Sequence, residues 1–393
     1  MKAAIHVDEH LFDGGPPLGL ERKLRLIRSS TDQRFARRIL IGALISWLPL
    51  AVFIVVQELS SGVSVARSFL QDVNVHIRFL VAAPLFILAE GDTIPRFSKI
   101  ACHFLSSGVV VDSDSRRYSL LVDSTKRLLN SNAVEIVLFL FSYALAITLV
   151  LAARHTQVPI WHLDGAGPLG LSLAGLWHAF VSVPMLMVLL LGWLWRIFVW
   201  WRFTATISRF NLHLIAAHPD QAGGLRFVSL SIRGYRLLAL AISAIVAGNE
   251  MSIALQTSQP SLLGARNAFI VVAVFMFVLS VGPLAMFLRN LRAARASAIY
   301  EYGSLGRALG VEFERKWFDR SRNCDRASLE VSDFSATTDL YSVVGNVYKM
   351  KDLPLPWSAL NPIIVACAVP FIPVALMAVP LKELLLNLAK LLL

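Results

Sequence analysis

Long uncharged stretches of apolar residues alternate with shorter polar stretches along most of this chain. A helix that crosses a bilayer needs about 20 mostly apolar residues, and the chain has seven stretches of roughly this length. They are 39–57, 73–89, 133–153, 176–195, 237–256, 267–288 and 357–381. The second is the weakest, because it contains His76 and Arg78. The pattern predicts an all-α fold, a polytopic membrane helix bundle of about seven spans.

The composition changes this picture little, but it excludes other classes of protein. Of the 393 residues, 56% are hydrophobic and 16% are charged. Soluble chains usually have about 45–50% apolar and about 25% charged residues. The composition therefore excludes a disordered chain and argues against an ordinary soluble enzyme.

Lysine and arginine are distributed unevenly among the segments that join the spans. Of the 37 Lys and Arg, 31 lie in segments 1–38, 90–132, 196–236 and 289–356, which alternate with nearly uncharged loops. We call the side of these four segments the basic side. Because positively charged loops stay cytoplasmic, we predict a multi-pass protein of the bacterial inner (cytoplasmic) membrane with a cytoplasmic N-terminus. Seven spans would place the C-terminus outside.

The same pattern divides the chain into four regions. They are a cytoplasmic N-terminal segment (1–38), a membrane bundle with six spans (39–288), a cytoplasmic helical segment (289–356), and a C-terminal region (357–393). The last would be a span or, given its prolines, a re-entrant hairpin, followed by an amphipathic tail. Gly14, Gly15, Pro16 and Pro17 predict a loose N-terminal segment. Apolar positions at helical spacing predict cytoplasmic helices at 115–131 and within 299–349.

Four polar residues within the predicted spans are candidates for a transport pathway. They are His76, Arg78, Asn249 and Glu250. Glu250 lies about 20 Å along a helix from Arg236, at the basic-side edge of its span. A carboxylate at that depth is costly unless it is paired, neutralised or hydrated, so it marks a functional site. Two alternatives remain open: Glu250 lies at the outer headgroups, or it pairs with Arg78.

The string His218-Pro-Asp-Gln-Ala-Gly-Gly-Leu225, in the segment between the fourth and fifth predicted spans, is the most distinctive in the chain. Pro219 predicts the end of a preceding helix, and the paired glycines permit tight turns. The loop either presents amide N–H groups to an anion or acts as a structural elbow beneath the bundle. Its candidate residues are His218, Asp220, Gly223, Gly224 and Arg226.

Basic and aromatic residues follow the fourth span and predict contact with the bilayer, including anionic lipids at the cytoplasmic face. They are Arg196, Arg202 and Arg209, among Trp193, Trp195, Trp200 and Trp201. The alternative, single-stranded nucleic acid, is not favoured beside a span. Three histidines and an aspartate in or near the loop between the third and fourth predicted spans do not match any known spacing of metal ligands. They are His155, His162, Asp164 and His178. We therefore predict no metal site and no cofactor.

Several strings resemble a family of bacterial polytopic inner-membrane proteins for which no activity is established. They are 47–50, 77–80, 84–85, 89–90, 171–177, 218–225, 301–303, 316–317 and 339–340. The resemblance covers most of the chain, but it adds no substrate. It marks the His218 loop, Arg78, Glu90 and Lys316 for testing, whereas residues 329–340 depart from the usual family pattern.

Two functions follow from these features. The first is a homo-oligomeric channel or transporter for an ion or small solute, with Glu250 and Arg78 on the path. The second is a membrane scaffold or subunit whose cytoplasmic helices recruit a protein partner. An enzyme is less favoured, because the polar residues within the spans are too few and too scattered to predict a catalytic site.

Overall fold

The computed structural model describes residues 11–17, 19, 35–61, 64–153, 159–163, 170–257, 261–318 and 332–378. Six helical stretches in this part of the chain are long and apolar enough to cross a bilayer. They are Phe35–Ser60, Val73–Ser106, Leu173–Ile207, Arg226–Gln256, Leu262–Ala285 and Trp357–Met377. A seventh is added if Asp112–Leu129 and Asn132–Thr148, bent by 40°, count as one span. The predicted all-α membrane bundle is confirmed.

The described helices are numbered here in chain order. In order they are α1 (Phe35–Ser46), α2 (Leu48–Ser61), α3 (Ala66–Gln71), α4 (Val73–His76), α5 (Ala83–Ser106), α6 (Ser115–Leu129), α7 (Asn132–Ala153), α8 (Leu173–Trp177), α9 (Val183–Ile207), α10 (Leu230–Gly234), α11 (Arg236–Thr257), α12 (Leu262–Ala285), α13 (Leu288–Trp317), α14 (Asp333–Lys349), α15 (Asn361–Ala368) and α16 (Ile372–Ala378). Two π-helical turns, Ile77–Ala82 and His178–Ser182, join α4 to α5 and α8 to α9.

The second and fourth spans are much longer than a bilayer requires. Their stretches of 34 and 35 residues correspond to about 50 Å of helix, against a hydrocarbon core of about 30 Å. Their C-terminal ends extend on the basic side and form an aromatic core there. Phe97 of α5 stacks on Trp200 of α9 with ring centres 4.4 Å apart. Both rings are buried, so these ends pack as in a soluble protein.

The N-terminal segment is packed into this core, so the prediction of a loose segment is wrong for residues 11–17. The Phe12 ring lies 5.5 Å from that of Trp200 and 5.8 Å from that of Phe97. Its backbone N–H donates to Ser98 Oγ at 3.0 Å. A Cβ at Gly192 would lie 2.3 Å from the Pro16 carbonyl oxygen. The missing side chain therefore allows the segment to approach α9 closely.

The C-terminal third contains a hairpin and the last span. α13 and α14 form an antiparallel pair in which Gly303 faces Tyr348 and Gly310 faces Tyr341. This agrees with the helices predicted within 299–349, and α6 agrees with the one at 115–131. Within the proline-containing segment, Trp357–Met377 forms one candidate span. The predicted amphipathic tail lies outside the described residues.

Candidate functional site

The second and fifth spans pack directly against each other and share polar contacts. Asn74 Nδ2 donates to Asn249 Oδ1 at 3.4 Å. The Asn74 backbone N–H donates to Ser252 Oγ at 2.9 Å. Asn249 itself is exposed on the surface of the described bundle. Asn249 is thus brought together with the span that carries His76 and Arg78.

Glu250 lies against the first turn of α12. A Cβ on Gly264 would be 3.2 Å from Glu250 Oε2, and α12 is capped there by Ser261 Oγ, which accepts from the Gly264 N–H at 3.1 Å. The partial positive charge of a helix N-terminus favours a carboxylate at this position. Within the described residues the Glu250 side chain has no ion pair or hydrogen bond, and it does not pair with Arg78.

His76 connects the first span and α3 through hydrogen bonds. Its Nδ1 accepts from Trp47 Nε1 at 2.9 Å, so its Nε2 carries the proton and donates to the Phe69 carbonyl at 3.1 Å. Both ring nitrogens are therefore engaged. The imidazole joins the first span to α3 and has no ring nitrogen left for a solute.

Arg78 belongs to a polar cluster on the side opposite the basic side. Its guanidinium, in the first π turn, is close enough to Asp72 for electrostatic attraction. Asp72 Oδ2 accepts from Trp161 Nε1 at 3.2 Å, and the Trp161 ring stacks on His162 at 3.5 Å. His162 Nε2 lies 3.2 Å from His178 Nδ1. We call Asp72, Arg78, Trp161, His162 and His178 the far-side cluster.

The two π turns meet at this cluster. Phe79 of the first turn contacts His178 of the second, with ring centres 5.8 Å apart. Irregular turns of this kind are frequent at functional sites. Burial lowers the pKa of His162 to about 4, and the charge of Arg78 acts in the same direction, so the His162 imidazole is neutral at pH 7. His178 Nε2 is buried without a hydrogen-bond partner among the described residues.

No local sequence pattern joins these five residues. For His162 and His178, the sequence suggests only a metal-ligand role. In the described part of the chain, no three His, Cys, Asp or Glu side chains lie close enough to hold a metal ion. His155 and Asp164 lie outside that part.

A buried ion triad joins the first, second and fourth spans on the basic side. Arg38 Nη1 lies 2.6 Å from Glu90 Oε2, and Arg196 Nη2 lies 3.0 Å from Glu90 Oε1. Glu90 is 1% exposed and both arginines are 3% exposed. Arg196 also donates to the Gly14 and Gly15 carbonyls at 3.1 and 3.3 Å, which fixes the N-terminal segment.

This triad corrects the predicted interfacial belt. Arg196, Trp193 and Trp200 are buried, so they do not face lipid headgroups. Only the family resemblance marked Glu90. The signal in the sequence is that each of three predicted spans has a charged residue at its basic-side edge, namely Arg38, Glu90 and Arg196.

The His218 loop is organised around Asp220. α9 ends at Ile207, so Pro219 does not terminate a helix as predicted. Asp220 Oδ1 accepts from the N–H groups of Ala222 and Gly224 at 2.8 and 3.2 Å, and Oδ2 accepts from the Arg226 N–H at 3.1 Å. The loop amides thus bind the loop's own carboxylate.

The ionisation of Asp220 reflects two opposing effects. Partial burial disfavours the charged form, but the three N–H donors and His218 Nδ1, 2.8 Å from Oδ1, outweigh it. They hold the pKa of the Asp220 carboxyl below its usual value. The turn also places Gln221, Gly223 and Gly224 at positive φ, namely 56°, 63° and 91°. Such angles are disfavoured for residues other than glycine.

This loop and the end of α5 enclose a cleft of about 280 Å³. We call it the basic-side cleft. Its polar side chains are Ser107, His103, His213, His218, Asp220 and Arg226. An antiparallel bridge between Val110 and Leu212 holds its two walls together. The structure thus brings the predicted loop residues together with His103 and His213, which as isolated histidines gave no signal in the sequence.

The family resemblance stays a prediction. No model of a known protein family matches this chain, and no curated protein or solved structure is significantly similar to it.

Proposed function

We propose that this polytopic membrane protein is a channel or transporter for an ion or small solute. The observation that carries the proposal is the polar face shared by the second and fifth spans. Asn74, Asn249 and Ser252 are joined there by hydrogen bonds. Glu250, next to Asn249 along α11, lies against the first turn of α12 and has no hydrogen bond or ion pair among the described residues. Polar groups within spans are costly and are found where ions or polar solutes pass.

The exposure of Asn249 supports a homo-oligomer. Asn249 lies eight residues before the end of α11, about 12 Å along the helix, and its side chain is exposed. Its Oδ1 accepts from Asn74 Nδ2, but its N–H groups have no partner among the described residues, and lipid offers none at this depth. A second copy that covers this face removes that cost and places Asn249 and Glu250 along a path between protomers.

We further propose that the protein resides in the bacterial inner membrane with its basic side in the cytoplasm. The support is the location of 31 of the 37 Lys and Arg in four alternating segments. Exposed arginines at that face, such as Arg209 and Arg289, would contact anionic lipid headgroups.

The test is solute flux into liposomes at matched protein incorporation. We expect Glu250→Gln to lower the flux at least about tenfold, because a charge on the path is lost. Glu312→Gln is the matched control, since Glu312 is an exposed carboxylate on α13, far along the chain from the spans. Absence of flux with the wild type, across several ions and both voltage signs, would refute the ion-channel proposal. Equal flux for the wild type and Glu250→Gln would remove Glu250 from the path.

A second candidate function is a membrane scaffold that recruits a protein on the basic side. The observation that favours it is the hairpin of α13 and α14, which exposes large apolar side chains such as Tyr300 and Leu305, at 80% and 52%. Extended apolar surface of this kind marks interaction sites. Cross-linking in native membranes tests it. A genuine partner should lose its cross-links in Tyr300→Ser and Leu305→Ser while the flux stays unchanged.

A further inference from the structure

Nitrogen donors from three separate segments converge on the basic-side cleft. His103 lies in the last turn of α5, His213 follows the bridge at Leu212, and His218 and Arg226 belong to the loop around Asp220. His103 is held in place by the edge of the Phe227 ring, with ring centres 4.5 Å apart. Side chains that meet in a concave site from distant parts of a chain are the usual form of a binding site.

The chemistry of the lining favours a negatively charged ligand. Among the described residues that line the cleft, Asp220 is the one carboxylate. Its two oxygens already accept from three N–H groups and contact His218. It therefore has little capacity left to bind a cation. The described residues do not form a group that could hold a metal ion. The remaining polar groups are three imidazoles, a guanidinium and the Ser107 hydroxyl, all of which can donate hydrogen bonds, and the guanidinium is positively charged.

The backbone leaves room for such a ligand to approach. A Cβ added to Gly108, which has a φ of +73°, would meet nothing within 4 Å. Gly108 and Gly224 line the cleft from its two walls. The positive φ of Gln221, at 56°, shows that a disfavoured conformation is maintained beside the cleft, as is common where a loop serves binding.

The position of the cleft favours a dissolved ligand over a lipid headgroup. Counted from Val73, about 20 residues of helix cross the hydrocarbon core and reach the neighbourhood of Thr93. His103 lies ten residues further, about 15 Å along α5. The headgroup layer on each side is only about 5–8 Å thick, so the cleft opens beyond it.

We propose that the basic-side cleft binds the phosphate group of a small dissolved molecule. Arg226 supplies the permanent positive charge, and its side chain is exposed at the cleft. His103, His213 and His218 supply N–H donors from the other sides. Asp220 acts as a positioning residue, because it fixes the loop that carries His218 and Arg226. The proposal is independent of transport, since binding is measured without flux.

The test is isothermal titration calorimetry on the purified full-length protein with inorganic phosphate, and with sulfate as a second oxyanion. Chloride at equal ionic strength corrects for general charge screening. We expect saturable binding by the wild type at pH 6.5. Arg226→Gln and His103→Gln should each weaken it at least about tenfold, since each removes a charge-assisted hydrogen bond.

The matched control is Arg233→Gln. Arg233 is an exposed arginine on α10 that does not line the cleft, so its removal should leave the affinity for phosphate within about twofold. Thermal unfolding of each variant checks that the fold is intact. If Arg226→Gln unfolds early, His103→Gln and His213→Gln carry the test, because both side chains are exposed.

Three results would overturn the proposal. The first is no heat of binding from either oxyanion at tens of millimolar. The second is binding that Arg226→Gln, His103→Gln and His213→Gln all leave unchanged. The third is binding only to vesicles that contain phosphatidylglycerol, compared with phosphatidylcholine vesicles, and not to free phosphate. That result would assign the cleft to a lipid headgroup.

Discussion

Replacing Glu90 by glutamine removes the negative charge that two buried arginines share. Arg38 and Arg196 approach its two oxygens at 2.6 and 3.0 Å, and the carboxylate is 1% exposed. The amide of glutamine is nearly the same size, so the substitution tests charge and not packing. We predict that it destabilises the bundle on the basic side, where the first, second and fourth spans meet.

The magnitude follows from burial. Unit charges about 4 Å apart attract by about 4 kcal/mol at an effective dielectric constant of about 20. Repulsion between the two arginines offsets part of this attraction. Removing one partner of a buried ion pair costs about 3–5 kcal/mol, because the other charge stays buried. For a chain of this size we expect the unfolding midpoint to fall by about 4–6 °C.

The assay is thermal unfolding in detergent, followed by tryptophan fluorescence, with Glu312→Gln as the matched control. Glu312 lies 2.6 Å from Arg315, the same distance as in the Arg38 pair, but it is 59% exposed. Exposed pairs contribute about 0–1 kcal/mol, so its midpoint should stay within about 1–2 °C of the wild type. If Glu90→Gln and Glu312→Gln melt at the same temperature, burial does not set the strength of the triad and the reasoning is refuted.

Three further predictions concern the N-terminal segment, the His218 loop and the far-side cluster. Phe12→Ala should detach residues 11–17 from the aromatic core, because the Phe12 ring is buried there. Limited proteolysis should then cleave the chain near these residues. An unchanged digest would show that other contacts hold the segment. Gly224→Ala should lower the free energy of unfolding by about 1–2 kcal/mol, because the φ of Gly224 is +91°. Gly345 lies in a helix with open space around it, so Gly345→Ala should raise the free energy of unfolding by about 0.5–1 kcal/mol. Equal unfolding midpoints for the two variants would contradict the strain argument. The pKa of His162 is lowered to about 4, so the unfolded chain takes up a proton below pH about 6.5 while the folded chain does not, and stability from this group is lost as the pH falls from about 6.5 towards 4. This loss should be about 2 kcal/mol of the free energy of unfolding at pH 5 relative to pH 7. The His162→Gln variant should show a smaller change of the unfolding midpoint with pH, whereas His213→Gln, an exposed control, should behave like the wild type. Identical pH profiles for the wild type and His162→Gln would count against the shift.

The membrane spans could be predicted because their apolar stretches dominate the local sequence. The ends of two of them could not. α5 continues to Ser106 and α9 to Ile207. The last parts of both helices contain charged residues, so hydropathy alone predicts that they are loops. Their helical state depends on packing between Phe97, Trp200 and the N-terminal segment. These contacts join residues more than 80 positions apart, so no local pattern shows them.

The candidate sites were predicted in part for a similar reason. The His218 loop carries its own signal, because Asp220 and two glycines form a local turn. His103 and His213 reach the same cleft only through the chain fold. The N-terminal glycines and prolines were misleading, because small residues indicate a flexible segment and a tightly packed one equally well. Gly192 and Pro16 show the second case.

Glu90 and Glu250 are carboxylates within or next to predicted spans, but the structure places them in different surroundings. Glu90 is buried between two arginines, so its loss should reduce stability first, and reduced flux in a Glu90 variant would not locate a path. Glu250 is partly exposed, and its side chain has no partner among the described residues, so its charge can be removed at little cost to folding. A drop in flux with an unchanged unfolding midpoint in Glu250→Gln is therefore the combination that identifies a pathway residue.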